Sequence, residues 1–191
     1  MISEDDLKQA CAVLRNGGVI LYPTDTVWGI GCDATNSAAV RRVFDIKRRA
    51  DGKALITLLP TTAMLDRYVA DVPEVAYELA ELATTPVTVV YDRGLTPPLA
   101  PELLAEDGSI GIRITSEEFS RRLCTMFRKP LVSTSANISG KPTPATFAQI
   151  SPEIITAVDY VASSRRDDDE PHKSSSIIKL GCDGTIKIIR Q

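Results

Sequence analysis

The order of hydrophobic periods along the chain restricts its fold more than any other feature. Helix-period and strand-like segments alternate through the first two-thirds, and three strand-like segments cluster at the end. Ser3, followed by Asp5 and Asp6, reads as an N-cap with acids in a first helical turn. Leu7, Ala10, Cys11 and Leu14 supply an i, i+3, i+4, i+7 stripe, and Gly17-Gly18 ends it. Residues 19–22 read as a short buried strand stopped by Pro23, followed by a loop over 24–33. A helix is expected over about 37–48, with Val40, Val43, Phe44 and Ile46 as its apolar positions. Strands are expected over 54–59, 87–91, 109–114 and 131–132, with helices over 61–69, 73–83, 116–129 and 152–158. Segments 160–162, 176–180 and 185–189 complete the strands. This order predicts an α/β (α+β) fold, a twisted mixed parallel and antiparallel sheet flanked by helices. No repeat and no long linker interrupts the 191 residues, so a single domain over 1–191 is expected.

Composition removes several function classes. With 22 Lys+Arg against 25 Asp+Glu the net charge is −3, which argues against a histone-like polycation. That mean conceals segregation: residues 41–53 hold six basic and two acidic side chains, and 66–81 hold five acidic and one basic. The single histidine, His172, rules out His-rich zinc sites and paired-histidine acid–base machinery. Cys11, Cys32, Cys124 and Cys182 are too scattered for a metal knuckle and read as reduced thiols. The amino terminus is too acidic for a signal or transit peptide, and no apolar run reaches the roughly 20 residues of a membrane span. A cytoplasmic setting is expected.

Four segments could carry chemistry. Gly29-Ile30-Gly31-Cys32-Asp33-Ala34 formally matches G-x-G-x-x-A, but a dinucleotide site needs its glycines at the strand-to-helix turn itself, and here residues 23–28 intervene. No Walker-type glycine loop is present. Thr24, Asp25 and Thr26, at a strand's carboxyl end, either orient a small polar ligand such as an amino acid or cap their own turn. Lys47, Arg48, Arg49 and Lys53 place four cations within seven residues, more than a helix end requires, and suit a polyphosphate. Ser133-Thr134-Ser135-Ala136-Asn137, running on through Ser139 to Thr143, offers hydroxyl and backbone donors for phosphate oxygens without a glycine loop. Residues 163–176 are charged and apolar-poor; they read as a solvated loop whose flank, Ser174-Ser175-Ser176, could close over a ligand.

Taken together these segments resemble the YrdC family of L-threonylcarbamoyladenylate synthases. The resemblance is carried by the run from Tyr22 through Pro-Thr-Asp-Thr-Val-Trp-Gly-Ile to Gly31, by Lys47-Arg48-Arg49, Pro86-Val87-Thr88 and Ile112-Arg113, by the run from Ser133 to Gly140, and by Ser175-Ser176-Ile177, all in family order. It implies a short-form enzyme with a concave, positively charged face. Such an enzyme combines L-threonine, bicarbonate and ATP, with Mg2+ carried on the ATP phosphates, into threonylcarbamoyl-AMP and pyrophosphate. A separate tRNA threonylcarbamoyl-transferase complex would then use the product on adenosine 37 of tRNA.

Residue by residue, the resemblance implies that Lys47 and Arg49 hold ATP phosphates as the catalytic cations, with Lys53, Ser109, Ser135, Asn137, Thr143 and Arg190 on the nucleotide side. Thr26, Arg113, Ser133 and Ser175 would cradle L-threonine, the register of Ser175 against Ser176 being open by one residue. Asp25 is our own addition, expected to help hold the amine. Three loops depart from the family pattern: Lys53-Ala54-Leu55, Thr84-Thr85-Pro86 and Ser174-Ser175-Ser176 keep hydroxyl or cation but lack the usual proline and glycine restraints. With one histidine, catalysis by positioning is expected rather than a histidine base. The alternatives are a non-catalytic paralogue binding tRNA or double-stranded RNA by shape and phosphate contacts, and the carbamoyl-transferring domain of hydrogenase-maturation proteins, which normally sits in a longer zinc-bearing chain.

Overall fold

The computed structural model describes residues 2–49 and 55–190. The elements are α1 (Glu4–Arg15), β1 (Ile20–Tyr22), β2 (Gly29–Gly31), α2 (Ser37–Lys47), β3 (Ile56–Leu59), α3 (Val75–Leu82), β4 (Val87–Tyr91) and β5 (Ile110–Ile114). They continue with α4 (Glu118–Phe127), β6 (Leu131–Ser135), α5 (Pro152–Ala157), β7 (Tyr160–Val161), β8 (Ser176–Leu180) and β9 (Ile186–Arg190). The expected helix over 61–69 is a 3-10 turn, Thr62–Arg67.

Local chemistry accounts for the element ends. Ser3 caps α1 by accepting from the Asp6 amide, and Asn36 caps α2 by accepting from the Ala39 amide at 3.2 Å. The stripe Leu7, Ala10, Cys11 and Leu14 is buried as its spacing predicts. In α4, Phe119, Leu123 and Phe127 form the buried face. Each such side chain contributes about 2 kcal/mol when fully buried.

The strands form one mixed sheet in the order β7-β1-β2-β6-β3-β5-β4-β8-β9. β1 with β7, β3 with β5, and β4 with β8 are parallel, and the remaining neighbours are antiparallel. The mixed sheet expected from the sequence is therefore present.

One strand differs from the reading of the sequence. Gly29–Gly31 is β2, where a loop was expected; a strand of two glycines has none of the β-branched residues that signal one. Its glycines serve close approach. A Cβ on Gly31 would lie 2.3 Å from the Val132 carbonyl oxygen and 2.6 Å from Tyr22 Cε1. The glycine run thus lets β2 pack against Tyr22 and β6, which explains its resemblance to a dinucleotide motif without that function.

Asp6 supplies a long-range anchor that pattern reading took only as a helix-start acid. Its buried carboxylate accepts from Tyr160 Oη at 2.6 Å, from the Ser163 and Ser164 amides, and from Ser164 Oγ at 2.8 Å. Burial pushes its pKa up, but the bonds from Tyr160, Ser163 and Ser164 outweigh burial and hold it below the ordinary value. A depressed carboxylate contributes stability above its unfolded pKa and loses it as pH falls through the folded one. The melting temperature of Asp6→Asn should therefore lie below that of wild type at pH about 7, and the gap should close by about pH 2. A gap that stays constant down the acid limb would remove Asp6 from this role.

Candidate active site

Sheet register, rather than sequence proximity, builds the site. Side chains alternate faces along a strand, and directly paired residues share a face. The pairs Gly29↔Ser135, Ile56↔Ser133, Leu58↔Arg113 and Thr88↔Ile177 therefore put residues from β2, β6, β3, β5, β4 and β8 on one side of the sheet. A cavity of about 200 Å³ opens on that side, lined by Thr24, Thr26, Arg49, Arg113, Ser133, Ser135, Ser175 and Arg190 among others.

Arg113 is the most buried of the cations that line the cavity, only 3 % exposed. Its Nη1 donates to Thr26 Oγ1 at 3.1 Å, and its Nε is buried without a hydrogen-bond acceptor, 3.7 Å from Asp25 Oδ2. Burial pushes the guanidinium pKa down and Asp25 pushes it back up, with a net fall from the ordinary value. Thr26 is fixed in turn: its amide donates to Thr24 Oγ1, while Thr24 Oγ1 donates to the Val27 carbonyl at 2.7 Å. Thr24 thus caps the turn, and Thr26 is presented to the cavity.

Asp25 corrects an expectation. Its side chain turns away from Thr24 and Thr26 and is consumed. Oδ1 accepts from the Ser116 amide at 2.6 Å, Ser116 Oγ at 2.8 Å and the Glu117 amide at 2.8 Å, and Oδ2 accepts from Thr115 Oγ1 at 2.6 Å. Burial raises its pKa, and Thr115, Arg113 and Ser116 more than offset this. With four donors on its carboxylate, Asp25 fixes the turn into α4 and backs Arg113, and it does not line the cavity.

Lys47 and Arg49 do not act from the same place. Lys47 falls on the buried stripe Val40, Val43, Phe44, Lys47 of α2 and is 1 % exposed. Arg48 ends the helix in the left-handed conformation at φ 47°, and the Arg49 amide bonds back to the Phe44 carbonyl. That reversal sends Arg49 to the cavity wall. Lys47 stays behind it, its Nζ donating to the carbonyls of Ser135 at 2.5 Å and Asn137 at 2.7 Å, with Asn137 Oδ1 at 3.3 Å. Burial first, then the charge of Arg49, pushes its pKa down to about 8. Lys47 therefore braces the Ser135–Asn137 loop instead of entering the cavity. Its position on a helix stripe was the sequence signal for this.

Asn137 shares that bracing task. Oδ1 accepts from Ser135 Oγ at 2.5 Å, and Nδ2 donates to the Lys141 carbonyl at 2.6 Å. Two residues expected on the nucleotide side lie off this cavity. Ser109 precedes β5 and caps its own turn with Asp107, about 13 Å of strand from Arg113. Thr143 is exposed and does not line the cavity. Lys53 lies outside the described residues.

Ser175, not Ser176, lines the cavity. Its Oγ lies 2.9 Å from Thr88 Oγ1, while Ser176 starts β8. Arg190 donates through Nε and Nη2 to the Ser175 carbonyl at 3.1 and 2.7 Å. Sequence reading missed Trp28 and Gly29 as wall residues. Trp28 packs on Phe147 with ring centroids 4.7 Å apart, a contact that no spacing rule reveals.

The lining holds three arginines and no carboxylate. Among the described residues no three His, Cys, Asp or Glu side chains gather to hold a metal, so the donor set does not fit a resident ion. No helix among them is long and apolar enough to cross a membrane.

Fold and site together define an α/β protein that receives small anionic, hydroxyl-bearing ligands on one face of a mixed sheet. The family model for Sua5, YciO and YrdC proteins, described as "Telomere recombination", matches residues 12–191, and the chain belongs to that family. A threonylcarbamoyl-AMP synthase of Xanthomonas euvesicatoria pv. vesicatoria is 36% identical over 157 residues, 82% of this chain and 84% of that protein. A putative threonylcarbamoyl-AMP synthase of Methanocaldococcus jannaschii is 34% identical over 98% of this chain and 88% of its own length. Among solved structures, E. coli YciO superposes with TM-score 0.83 at 25% identity, covering 99% of this chain and 90% of its own. P. abyssi Sua5 complexed with L-threonine gives TM-score 0.83 at 25% identity over 94% of this chain, which spans only 52% of that longer protein.

Proposed function

We propose that this chain is a threonylcarbamoyl-AMP synthase, a nucleotidyltransferase that joins L-threonine, bicarbonate and ATP. The observation that carries the reading is Arg113, a buried guanidinium on the cavity wall bonded to the Thr26 hydroxyl, with Ser133 and Ser175 on the same wall. A guanidinium suits the amino-acid carboxylate, and the hydroxyls suit its amine and side-chain oxygen. Arg49 and Arg190 lie where phosphate charge would gather.

The chemistry asked of the protein is positioning. The threonine amine condenses with bicarbonate to N-carboxythreonine and water. A carbamate oxygen then bonds to the α-phosphorus as the bond to pyrophosphate breaks. Two reactants held in line recover much of the barrier, and fixed guanidiniums offset the charge that builds on the phosphate oxygens. Mg2+ would arrive on the ATP phosphates as part of the substrate, and no step here is assigned to it.

The continuous sheet supports reading residues 1–191 as one domain. The free cysteines support a reducing, cytoplasmic setting. A tRNA threonylcarbamoyl-transferase complex would consume the product. RNA binding alone would not require hydroxyls and a buried arginine gathered in a cavity, which favours the synthase over the double-stranded-RNA reading. The deciding measurement is pyrophosphate release from ATP. It should require both threonine and bicarbonate; release independent of threonine, or none, overturns the proposal.

A further inference from the structure

The connection between β7 and β8, residues 162–175, joins the first strand of the sheet to the eighth. Seven strand spacings amount to about 33 Å, so most of the segment's length is spent in crossing. It behaves as a strap, and both its ends are fixed. At the start, the Ser163 and Ser164 amides are held by Asp6. At the finish, Ser175 is held by Thr88 and Arg190, and Ser174 and Ser175 form part of the cavity wall.

Between these anchors, Arg165 ties the strap to the opposite wall. Its Nη1 donates to the Thr24 carbonyl at 3.2 Å and stands 3.7 Å from Glu117 Oε1. Its Nη2 donates to Asp168 Oδ2 at 2.7 Å and lies 2.8 Å from His172 Nε2. Its Nε makes a second bond to Asp168 Oδ2 at 3.1 Å, and His172 Nε2 meets the same oxygen at 3.0 Å. The backbone of Arg165 sits at φ 59°, a left-handed conformation that a non-glycine residue holds only when its surroundings over-determine it. Arg165 does not itself line the cavity.

We propose that Arg165 is a positioning residue for the amino-acid side of the cavity. Through the Thr24 carbonyl it fixes the turn that presents Thr26 to Arg113. Through Asp168 and His172 it fixes the strap that carries Ser174 and Ser175. Loosening either wall lowers the fraction of molecules competent to bind, which raises the apparent dissociation constant without touching the reacting atoms. The kinetic part of this inference rests on the synthase reading; the clasp itself does not.

The test compares Arg165→Met and Arg165→Lys with wild type in the full chain. With ATP and bicarbonate saturating, Arg165→Met should raise KM for L-threonine about tenfold and leave kcat within about threefold. Arg165→Lys, which keeps the charge beside Asp168 but cannot fork, should recover part of that loss. Hydrogen exchange at the Ser174 to Ser176 amides should quicken about tenfold in Arg165→Met, while β3 exchanges as in wild type. A threonine KM within twofold of wild type, equal losses in kcat and in KM for both substrates, or unchanged exchange at 174–176 overturns the proposal. Should Arg165→Met fail to fold, Asp168→Asn replaces it; that variant spares the bond to Thr24, and its unchanged exchange is equally fatal. A wild-type protein without threonine-dependent pyrophosphate release overturns the synthase reading instead, and the exchange comparison still decides on the clasp.

Discussion

Arg113→Met is expected to cut threonine-dependent pyrophosphate release by at least about a hundredfold while leaving a folded protein. The loss follows from the hydrogen bonds at stake. A charged group's hydrogen bond contributes about 1.5–3 kcal/mol, so a guanidinium fork on a carboxylate is worth about 3–6 kcal/mol, or roughly two to four powers of ten. Folding should survive because Asp25, the ion-pair partner, keeps four hydrogen bonds from Thr115, Ser116 and Glu117. Methionine also fills much of the vacated volume, and the Asp25 carboxylate left behind stays hydrogen-bonded, which limits the several kcal/mol that losing one partner of a buried pair otherwise costs. Lysine should not rescue, since a point charge cannot reproduce the fork. A rate within tenfold of wild type at subsaturating threonine would remove Arg113 from the amino-acid site.

The second large effect belongs to Lys47. Its removal in Lys47→Ala leaves the Ser135 and Asn137 carbonyls without their ammonium donor, a cost of about 3 kcal/mol in stability. Activity should fall about a hundredfold as well, because the braced loop continues directly from β6, which carries Ser133 and Ser135 into the cavity, and small misplacements of positioning groups are that costly. Melting and kinetics separate this from direct phosphate binding. A variant that melts with wild type and shows only a raised KM for ATP would mean that Lys47 reaches the nucleotide itself.

The pH dependence gives an independent check on the same residue. The folded value of about 8 lies below the unfolded one, so the buried ammonium costs stability at lower pH, and the cost is relieved as pH rises from about 8 toward 10.5. Over that window wild type should gain stability relative to Lys47→Met. A constant difference would contradict the depressed value.

Several features of the fold were legible in sequence because their physics is local. Helix stripes and caps foretold α1, α2 and α4 to within a residue or two, since periodicity and capping act over a few neighbours. Thr26, Arg113, Ser133 and Ser175, which the family resemblance grouped together, line one cavity. β2 was invisible because its two glycines answer to the Tyr22 ring and the Val132 carbonyl, both contributed by other strands. Asp25 was misread for a related reason: its partners, Thr115 to Glu117, lie some ninety residues away.

By itself, then, the sequence determined the class of fold and the cation- and hydroxyl-rich segments that meet at the cavity, because residue type and short-range spacing specify those. Only the tertiary structure decided which groups face the ligand and which stand behind. Lys47 and Arg49 are two residues apart, yet the left-handed turn at Arg48 sends one into a loop's carbonyls and the other to the cavity. Ser109 precedes β5 and Arg113 lies near its far end, so the rise of the strand keeps them apart. The burial, register and hydrogen-bond partners that make these choices belong to residues distant in the chain, and no local pattern encodes them.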